Sequence, residues 1–135
     1  MDLAEIGPSG IVGDGHDDRK HHGGPERAVC LYASELITRL VEEGHPIYAG
    51  SAGENVTISG LDWSCMVPGV RVRLGATMIQ LTSYTSPCKT IRNSFVNGRF
   101  ERISQKTNPG WSRVYARVLV PGTVRRADEV EIVPG

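Results

Sequence analysis

The sequence predicts a mainly β fold, a barrel or a sandwich that carries one or two short α-helices. Short stretches of alternating apolar and polar residues recur between residues 70 and 133, which is the spacing of half-buried strands. The 16 glycines and 8 prolines divide the chain into many short elements. One stretch, residues 34–44, has apolar residues at clear helical spacing. The length of 135 residues suits one domain, so residues 1–135 are predicted to form a single domain.

The first elements in chain order are a loop, a strand and a helix. Residues 7–24 contain six glycines among aspartates and histidines, a composition typical of loops. Residues 27–32 are predicted to form a short buried strand. Ser34 is predicted to cap the helix, with Glu35 near the positive end of the helix dipole. The apolar face and the stop of this helix are assigned to Leu36, Ile37, Leu40, Val41 and Gly44.

The remaining elements are predicted to be strands. Residues 70–74 and 77–84 alternate with period two and are separated by Gly75 and Ala76, which indicates a hairpin. In residues 112–120 the alternation places Val114, Ala116, Val118 and Val120 on one face. The other strand candidates are residues 55–58, 123–125 and 129–133, and a short helix is predicted within 98–105.

Charge and composition exclude several classes of function. Lysine plus arginine and aspartate plus glutamate number 15 each, so no nucleic-acid partner and no anionic membrane surface is expected. The first ten residues lack the basic and apolar regions of a signal peptide, and no segment has the length of a transmembrane helix. Three cysteines without zinc-ligand spacing favour a reducing compartment, so we expect a cytoplasmic protein.

Four segments, in order, resemble the molybdenum-cofactor-sulfurase C-terminal (MOSC) family. Residues 10–32 match its Gly-Asp turn, its His-Gly-Gly-Pro motif and the strand that follows. Residues 52–62 are similar to the Gly-Glu-Asn-hydrophobic segment, and residues 85–89 contain the Pro-Cys motif at the end of a hairpin strand. Residues 110–130 resemble the ending of the small bacterial members. Each motif is weak alone, but the ordered set of four is specific.

The resemblance implies a mixed-strand β-barrel that binds the molybdenum cofactor, a pterin dithiolene with a phosphate. In the family's reductases the cysteine of the Pro-Cys motif, Cys88 here, ligates molybdenum. Single-domain bacterial members resemble reductases of N-hydroxylated compounds that receive electrons from a separate flavin or iron–sulfur partner. Members fused to a cysteine desulfurase serve cofactor sulfuration, and no pyridoxal phosphate is expected in this chain itself. The implied partners are a small-molecule substrate and a separate redox protein or desulfurase, with a homodimer also allowed.

Two departures from the family pattern are visible. The family has a further β-segment of about twenty residues before its Gly-Asp turn, so we expect this domain to lack the first N-terminal β-segment and to leave a barrel edge unpaired. The small reductases place an arginine shortly before the Pro-Cys pair, where this chain has residues 83–86, Ser-Tyr-Thr-Ser. For this reason the substrate of those reductases cannot be assigned directly to this chain.

Cys88 is the predicted catalytic residue and metal ligand. Pro87 fixes its own φ and extends the residue before it, so the thiol leaves the strand end in a defined direction. Ligation of a metal requires the thiolate, which the cations of Lys89 and Arg92 favour. The alternative is a buried, inert thiol. Cys30 is predicted to be a core residue, and Cys65 has no assigned role.

The other candidates are grouped around this thiol. Histidine supplies protons near neutral pH, and His22 is placed ahead of His16 in that role; the alternatives for these histidines are a solvated loop or a metal site. For the cofactor, cations are expected at the phosphate, hydroxyls near Cys88 and turns along the pocket wall. These predicted cofactor-binding residues are Lys89, Arg92, Arg113, Thr85, Ser86, Thr90, Gly53, Glu54, Asn55, Gly23, Gly24 and Asp14. The alternatives are ordinary turns and arginines that keep the barrel soluble.

Three functions remain open on the sequence. The first is a molybdenum-dependent reduction of N-hydroxylated compounds, which predicts bound molybdenum that is lost with Cys88. The second is a sulfur carrier with a persulfide on Cys88 and no tightly held metal. The third is a module that binds the cofactor without catalysis.

Overall fold

A computed structural model describes residues 3–7, 10–11, 28–54, 56–125 and 130–133 of the chain. Most of its regular structure is β, as the sequence predicts. The strands in chain order are β1 (Leu3–Gly7), β2 (Gly10–Ile11), β3 (Val29–Ala33), β4 (Val56–Ile58), β5 (Arg71–Leu74), β6 (Thr77–Tyr84), β7 (Val114–Val120), β8 (Gly122–Arg125) and β9 (Val130–Val133). The α-helix α1 (Ser34–Glu42) follows β3 directly.

The strands pair in a mixed, curled arrangement. Six of them form a sheet in the order β4-β3-β7-β6-β5-β9, and three form a sheet in the order β2-β1-β8. β3 and β4 are parallel, whereas the pairs β3–β7, β6–β7, β5–β6 and β5–β9 are antiparallel. A mainly β fold of mixed strands is therefore confirmed. The expected absence of a first β-segment stays a prediction.

The hairpin of β5 and β6 forms where the sequence places it. Leu74 pairs with Thr77 across the two-residue turn, and Gly75 has a φ of 55°, a conformation that favours glycine. The predicted loop at residues 7–24 begins too early, because Gly7 and Gly10 pair with each other in β1 and β2. Backbone pairing with β1 makes Gly10 and Ile11 a strand despite the composition of the segment, and residues 12–24 of the predicted loop lie outside the described residues.

Helix α1 differs from its predicted form at two residues. The extended Ala33 (φ −90°, ψ 130°) is the N-cap, and Ser34 is the first helical residue, because β3 continues directly into the helix. Ile37 and Leu40 are buried against the sheet. Val41 is 50% exposed, because it is rotated by about 100° around the helix axis from the buried Leu40. Glu35 does lie in the first turn, and Gly44 ends the helix with a φ of 99°.

The alternation predicted for β7 holds only in part. Val114 and Ala116 are buried, but Tyr115 on the opposite face is only 8% exposed and Val120 is 50% exposed. β3 and β6 pair with the two edges of β7, and residues 114–116 are buried on both faces of the strand. Register shifts between β6 and β7 also interrupt the regular alternation of side chains between the two faces of the sheet.

The segment between β6 and β7 consists of short 3-10 turns. They span Lys89–Ser94, Val96–Gly98 and Phe100–Ile103, so the helix predicted within 98–105 is a four-residue 3-10 turn instead. The buried side chains of Ile91 and Ile103 hold this segment against the core. No helix in the described ranges is long and apolar enough to cross a membrane.

Candidate functional site

Cys88 lies in an exposed position just after the end of β6. It adopts an extended conformation (φ −142°, ψ 172°) and immediately precedes the Lys89–Ser94 turn. Its carbonyl oxygen accepts a hydrogen bond of 3.1 Å from the backbone N–H of Ile91, and the Ile91 side chain is buried. The backbone around the thiol is therefore fixed while the thiol side chain is accessible.

Polar and cationic side chains accompany the thiol on the same loop. The Sγ atom of Cys88 lies 2.8 Å from the hydroxyl oxygen of Thr90. Ser86, Lys89 and Arg92 are exposed in the same stretch of chain. The loop thus combines a sulfur atom, two hydroxyls and two cations, which suits a ligand that is anionic and binds sulfur.

Thr85 anchors this loop to the protein interior. Its backbone N–H donates to the carbonyl oxygen of Arg113 over 2.9 Å, and its own carbonyl accepts from the Ser112 hydroxyl over 3.2 Å. The Thr85 hydroxyl lies 3.6 Å from the Sγ atom of Cys30 and the residue is 3% exposed. Thr85 therefore fixes the loop to the protein interior, whereas the nearby Ser86 and Cys88 are exposed to solvent.

Arg113 and Glu54 form a buried charged cluster behind Thr85. Arg113 is 4% exposed and Glu54 is 5% exposed. One terminal guanidinium nitrogen of Arg113 donates to the carbonyl oxygen of Ala52, and the second carboxylate oxygen of Glu54 accepts from Thr57 over 3.3 Å. Within the described ranges, the Arg113 Nε and the other Glu54 oxygen have no hydrogen-bond partner. Two opposite charges thus occupy the interior with part of their hydrogen-bonding capacity unused.

Gly53 lies beside Arg113 and has a backbone conformation that favours glycine. Its φ is 85°, and a Cβ placed there would lie 3.5 Å from a terminal nitrogen of Arg113. A side chain at this position would therefore be strained by the backbone conformation. The contact joins the Gly-Glu segment to the strand that also anchors Thr85.

Burial raises the pKa of the Cys30 thiol, which lies within this cluster. The Arg113 charge and the Thr85 hydrogen bond act in the opposite direction, and the Glu54 charge adds to the increase. Burial likewise raises the pKa of Tyr32. Cys30 is thus a protonated core residue at neutral pH, in agreement with its predicted role.

The structure divides the predicted cofactor-binding residues into two connected layers. Ser86, Cys88, Lys89, Thr90 and Arg92 lie on the exposed loop, and the buried layer contains Thr85, Arg113, Glu54 and the adjoining Gly53. The remaining predicted residues, His22, Asn55, Gly23, Gly24 and Asp14, lie outside the described residues, as does the histidine-rich segment. No group of three or more metal-ligating side chains occurs in the part of the chain that the structure describes.

Sequence reasoning missed a cavity of about 400 Å³ beside the thiol loop. Residues 84–87 form one wall, and Phe100, Glu101 and residues 104–106 form the other. We call it the Phe100 cavity. Its second wall comes from the 3-10 segment, which has no periodic sequence signal, and only the adjacency of residues 84–87 to Cys88 pointed toward it.

Comparison with known proteins identifies the family. Residues 18–131 match the MOSC domain. The chain belongs to the MOSC domain family. Binding of the molybdenum cofactor is the general property of this family.

Relatives and solved structures agree with this assignment. The chain is 31% identical to the Bacillus subtilis protein YflK over 122 residues, which cover 90% of this chain and 54% of YflK. It is 32% identical to the Escherichia coli protein YiiM over 129 residues, which cover 92% of this chain and 56% of YiiM. The crystal structure of E. coli YiiM superimposes with a TM-score of 0.74 at 26% identity, covering 100% of this chain and 64% of that one. This MOSC chain thus spans little more than half the length of these curated relatives.

The residues on the thiol loop fit the family's cofactor. A molybdenum cofactor presents a metal that accepts sulfur ligands and a phosphate that requires cationic or hydroxyl donors. The exposed Cys88 would offer the sulfur ligand, and Lys89, Thr90 and Arg92 would offer the donors within four residues of it. Arg113 is not exposed to a phosphate in the described structure, because it is buried and bound to Ala52.

Proposed function

We propose that this MOSC domain holds the molybdenum cofactor through Cys88 and serves the reduction of N-hydroxylated compounds. The observation that carries the proposal is the exposed Cys88 thiol on a fixed loop, 2.8 Å from the Thr90 hydroxyl and adjacent to Lys89. A thiol that only filled the core would be buried, as Cys30 is. Membership of the MOSC family supports the choice of cofactor.

The protein's own residues have separate tasks in this proposal. Cys88 ligates the metal as its thiolate, and the Thr90 hydroxyl orients the sulfur through their 2.8 Å contact. Lys89 and Arg92 offset the negative charge of the thiolate and bind the cofactor's phosphate together with Ser86. The buried Thr85 and Arg113 hold the loop in place.

When bound, the molybdenum cofactor supplies the two-electron chemistry that removes the oxygen atom of an N-hydroxyl group. An N-hydroxyl compound, two electrons and two protons give the amine and water, so the N–O bond breaks and nitrogen is reduced. The electrons come from a separate redox protein, and His22 is the proposed proton source because imidazole titrates near neutral pH. We place this activity in the cytoplasm, where the three thiols stay reduced.

Turnover of an N-hydroxylated purine with reduced methyl viologen as electron donor tests the proposal. The protein is purified from a host that makes the molybdenum cofactor, as wild type, Cys88→Ser and Cys65→Ser. Cys65 is the matched control, because its thiol is also exposed but lies on a different turn. We expect amine formation by the wild type and Cys65→Ser and none by Cys88→Ser. Equal rates in all three proteins would contradict the role of Cys88.

The exposure of Cys88 also favours a second candidate, a sulfur carrier that receives a persulfide from a separate cysteine desulfurase. A persulfide adds one sulfur atom to the thiol, and reductant removes it. Intact-mass measurement of the same three proteins, before and after reduction, detects this adduct. A reducible adduct on the wild type that is absent from Cys88→Ser, without bound molybdenum, would replace the reductase proposal by this one. Bound cofactor without turnover would indicate a non-catalytic module.

A further inference from the structure

A second cavity, of about 610 Å³, opens across four strands of the six-stranded sheet. Its lining consists of residues 69–71, Gln80, Arg117 and residues 132–133, from β5, β6, β7, β9 and the segment before β5. We call it the Arg71 cleft. It shares no lining residue with the Phe100 cavity and contains no residue of the thiol loop. Its volume lies in the range of small-molecule sites, so the cleft is a separate candidate for ligand binding.

The register of the sheet places Arg71, Gln80 and Arg117 in one row. Arg71 pairs with Gln80 across β5 and β6, and Gln80 pairs with Arg117 across β6 and β7. Directly opposed residues of antiparallel strands project from the same face, with Cβ atoms about 5 Å apart. Val72 and Leu81, the next residues along β5 and β6, are buried, so the row lies on the solvent face. Two arginine side chains thus flank one glutamine within reach of a common ligand.

Hydrogen bonds hold the Arg117 guanidinium in this row. Its Nε atom donates to the side-chain oxygen of Gln80 over 2.9 Å, and one terminal nitrogen donates to the same oxygen. The Gln80 amide nitrogen in turn donates to the carbonyl oxygen of Gly69 over 3.1 Å. These contacts use two of the five N–H groups of a guanidinium, and the others are available to a ligand. A side chain held in place in advance lowers the entropic cost of binding.

The cleft carries a local excess of positive charge. Arg71 and Arg117 line it, and no acidic residue does so among the residues that the structure describes. Farther along β5, Arg73 forms an ion pair with Glu131, whereas the residue opposite Arg71 on β9 is Val133. Two guanidinium groups match the charge of a phosphate dianion, and each can donate to two of its oxygens.

The other part of the lining is apolar. Val70, Ile132 and Val133 are half-buried and face the same cleft as the two arginines. A free phosphate ion would leave this apolar surface in contact with water. The organic group of a phosphate ester would cover it, and removal of apolar surface from water favours binding. The lining therefore favours a phosphate monoester over the free ion.

We propose that the Arg71 cleft binds small phosphate monoesters, with the phosphate between Arg71 and Arg117 and the organic group against the apolar residues of the cleft. The site uses none of the residues assigned to the molybdenum cofactor, so it does not depend on the proposed function.

Titration with phenyl phosphate, followed by the NMR shifts of the backbone amides, tests this site. We expect Arg71→Gln and Arg117→Gln each to weaken binding about 10-fold, as expected for the loss of charge-assisted hydrogen bonds. Arg39→Gln removes the same charge from an exposed position on α1, outside the cleft, and leaves binding unchanged. Potassium chloride weakens binding to the wild type, because salt screens exposed charges. The amide spectrum of each variant shows whether it is folded.

Further probes separate the ligand classes. Phenol, which lacks the phosphate, and orthophosphate, which lacks the ring, are both expected to bind more weakly than phenyl phosphate. Absence of phenyl phosphate binding, equal effects of Arg39→Gln and Arg71→Gln, or orthophosphate binding as tight as that of the ester would overturn the proposal. Tighter binding of a hexaglutamate peptide would assign the cleft to an acidic protein segment instead.

The molybdenum content of Arg71→Gln, from a host that makes the cofactor, separates this site from the cofactor site. We expect the same content as in the wild type. A selective loss of molybdenum from Arg71→Gln would make the cleft part of the cofactor site and overturn the proposal of a separate one. Phenyl phosphate binding by a wild type that holds no molybdenum would remove the proposed function and leave the phosphate ester site supported.

Discussion

Cys88 and Cys30 differ in their surroundings. Cys88 is exposed, and its sulfur lies 2.8 Å from the Thr90 hydroxyl oxygen. Cys30 is fully buried, and burial raises the pKa of its thiol. Because the thiolate is the nucleophile and the metal ligand, the two cysteines are expected to differ strongly in reactivity.

Alkylation with iodoacetamide under native conditions measures this difference. We expect Cys88 and the exposed Cys65 to be modified and Cys30 to be protected, because burial both shields its sulfur and keeps it protonated. Peptide mass spectrometry assigns the modified positions. In urea all three cysteines react, which serves as the control. Native modification of Cys30 at the rate of Cys88 would contradict the described burial.

Arg113 is expected to stabilise the protein from within the buried layer. Arg113→Met removes the donor to the Ala52 carbonyl and leaves that carbonyl oxygen without this hydrogen bond in the interior. The free energy of unfolding in urea should fall by on the order of 3 kcal/mol. Arg117→Met, in the strand β7 that begins directly after Arg113, is the matched control because Arg117 is exposed. This substitution should change the free energy of unfolding by about 0.5 kcal/mol or less. Equal effects of the two substitutions would refute this role.

At the scale of elements, helix α1 and the segment after the thiol loop are joined by one ion pair. Both carboxylate oxygens of Glu43 accept hydrogen bonds from Arg102. This hydrogen bonding, with the Arg102 charge, lowers the pKa of Glu43. The pair is partly exposed, so its contribution is modest, but it holds one wall of the Phe100 cavity.

The pH dependence of Glu43→Gln tests this junction. A carboxylate with a lowered pKa in the folded state stabilises the protein above its unfolded pKa of about 4.3 and loses that effect as the pH falls through the folded value. The free energy of unfolding of the wild type should therefore exceed that of Glu43→Gln by about 0.5–1 kcal/mol at neutral pH. At the acidic end of the range the two free energies should be equal. Urea unfolding from pH 7 to pH 3 measures the difference. Glu42→Gln, at an adjacent exposed carboxylate, is the matched control for removal of one negative charge. A pH-independent difference for Glu43→Gln would argue against the pair.

Local sequence signals made the hairpin and the helix predictable. The helix N-cap and the 3-10 turns were not predictable, because they depend on contacts between distant parts of the chain. Gly75 and the alternation around it are sufficient for β5 and β6. The N-cap at Ala33 depends on β3 continuing into the helix, and the 3-10 turns depend on burial of Ile91 and Ile103. Neither of these is visible in a short window of sequence.

In the candidate site, too, some features have a local sequence signal and others depend on long-range packing. The Pro-Cys motif led directly to Cys88, whose exposure the structure adds. The burial of Arg113 was not predictable, because the alternation predicted for residues 112–120 does not show which of them other segments cover. The Phe100 cavity joins segments separated by more than ten residues, and no local pattern marks it.

At the scale of the whole molecule, the chain contains the MOSC domain of longer relatives. It covers 54% of YflK and 56% of YiiM. The balance of 15 basic and 15 acidic residues gives no general attraction for an anionic cofactor. Binding must therefore depend on local groups, of which the Cys88 loop combines the sulfur and the cations.

The most direct measurement is the molybdenum content per chain, by plasma mass spectrometry, after expression in a host that makes the cofactor. Wild type, Cys88→Ala and Cys65→Ala are compared, because both cysteines are exposed and only the first lies in the Pro-Cys motif. Near-stoichiometric molybdenum in the wild type and Cys65→Ala, with loss in Cys88→Ala, is the predicted result. Molybdenum retained at the wild-type level by Cys88→Ala would contradict the assignment of Cys88 as the metal ligand.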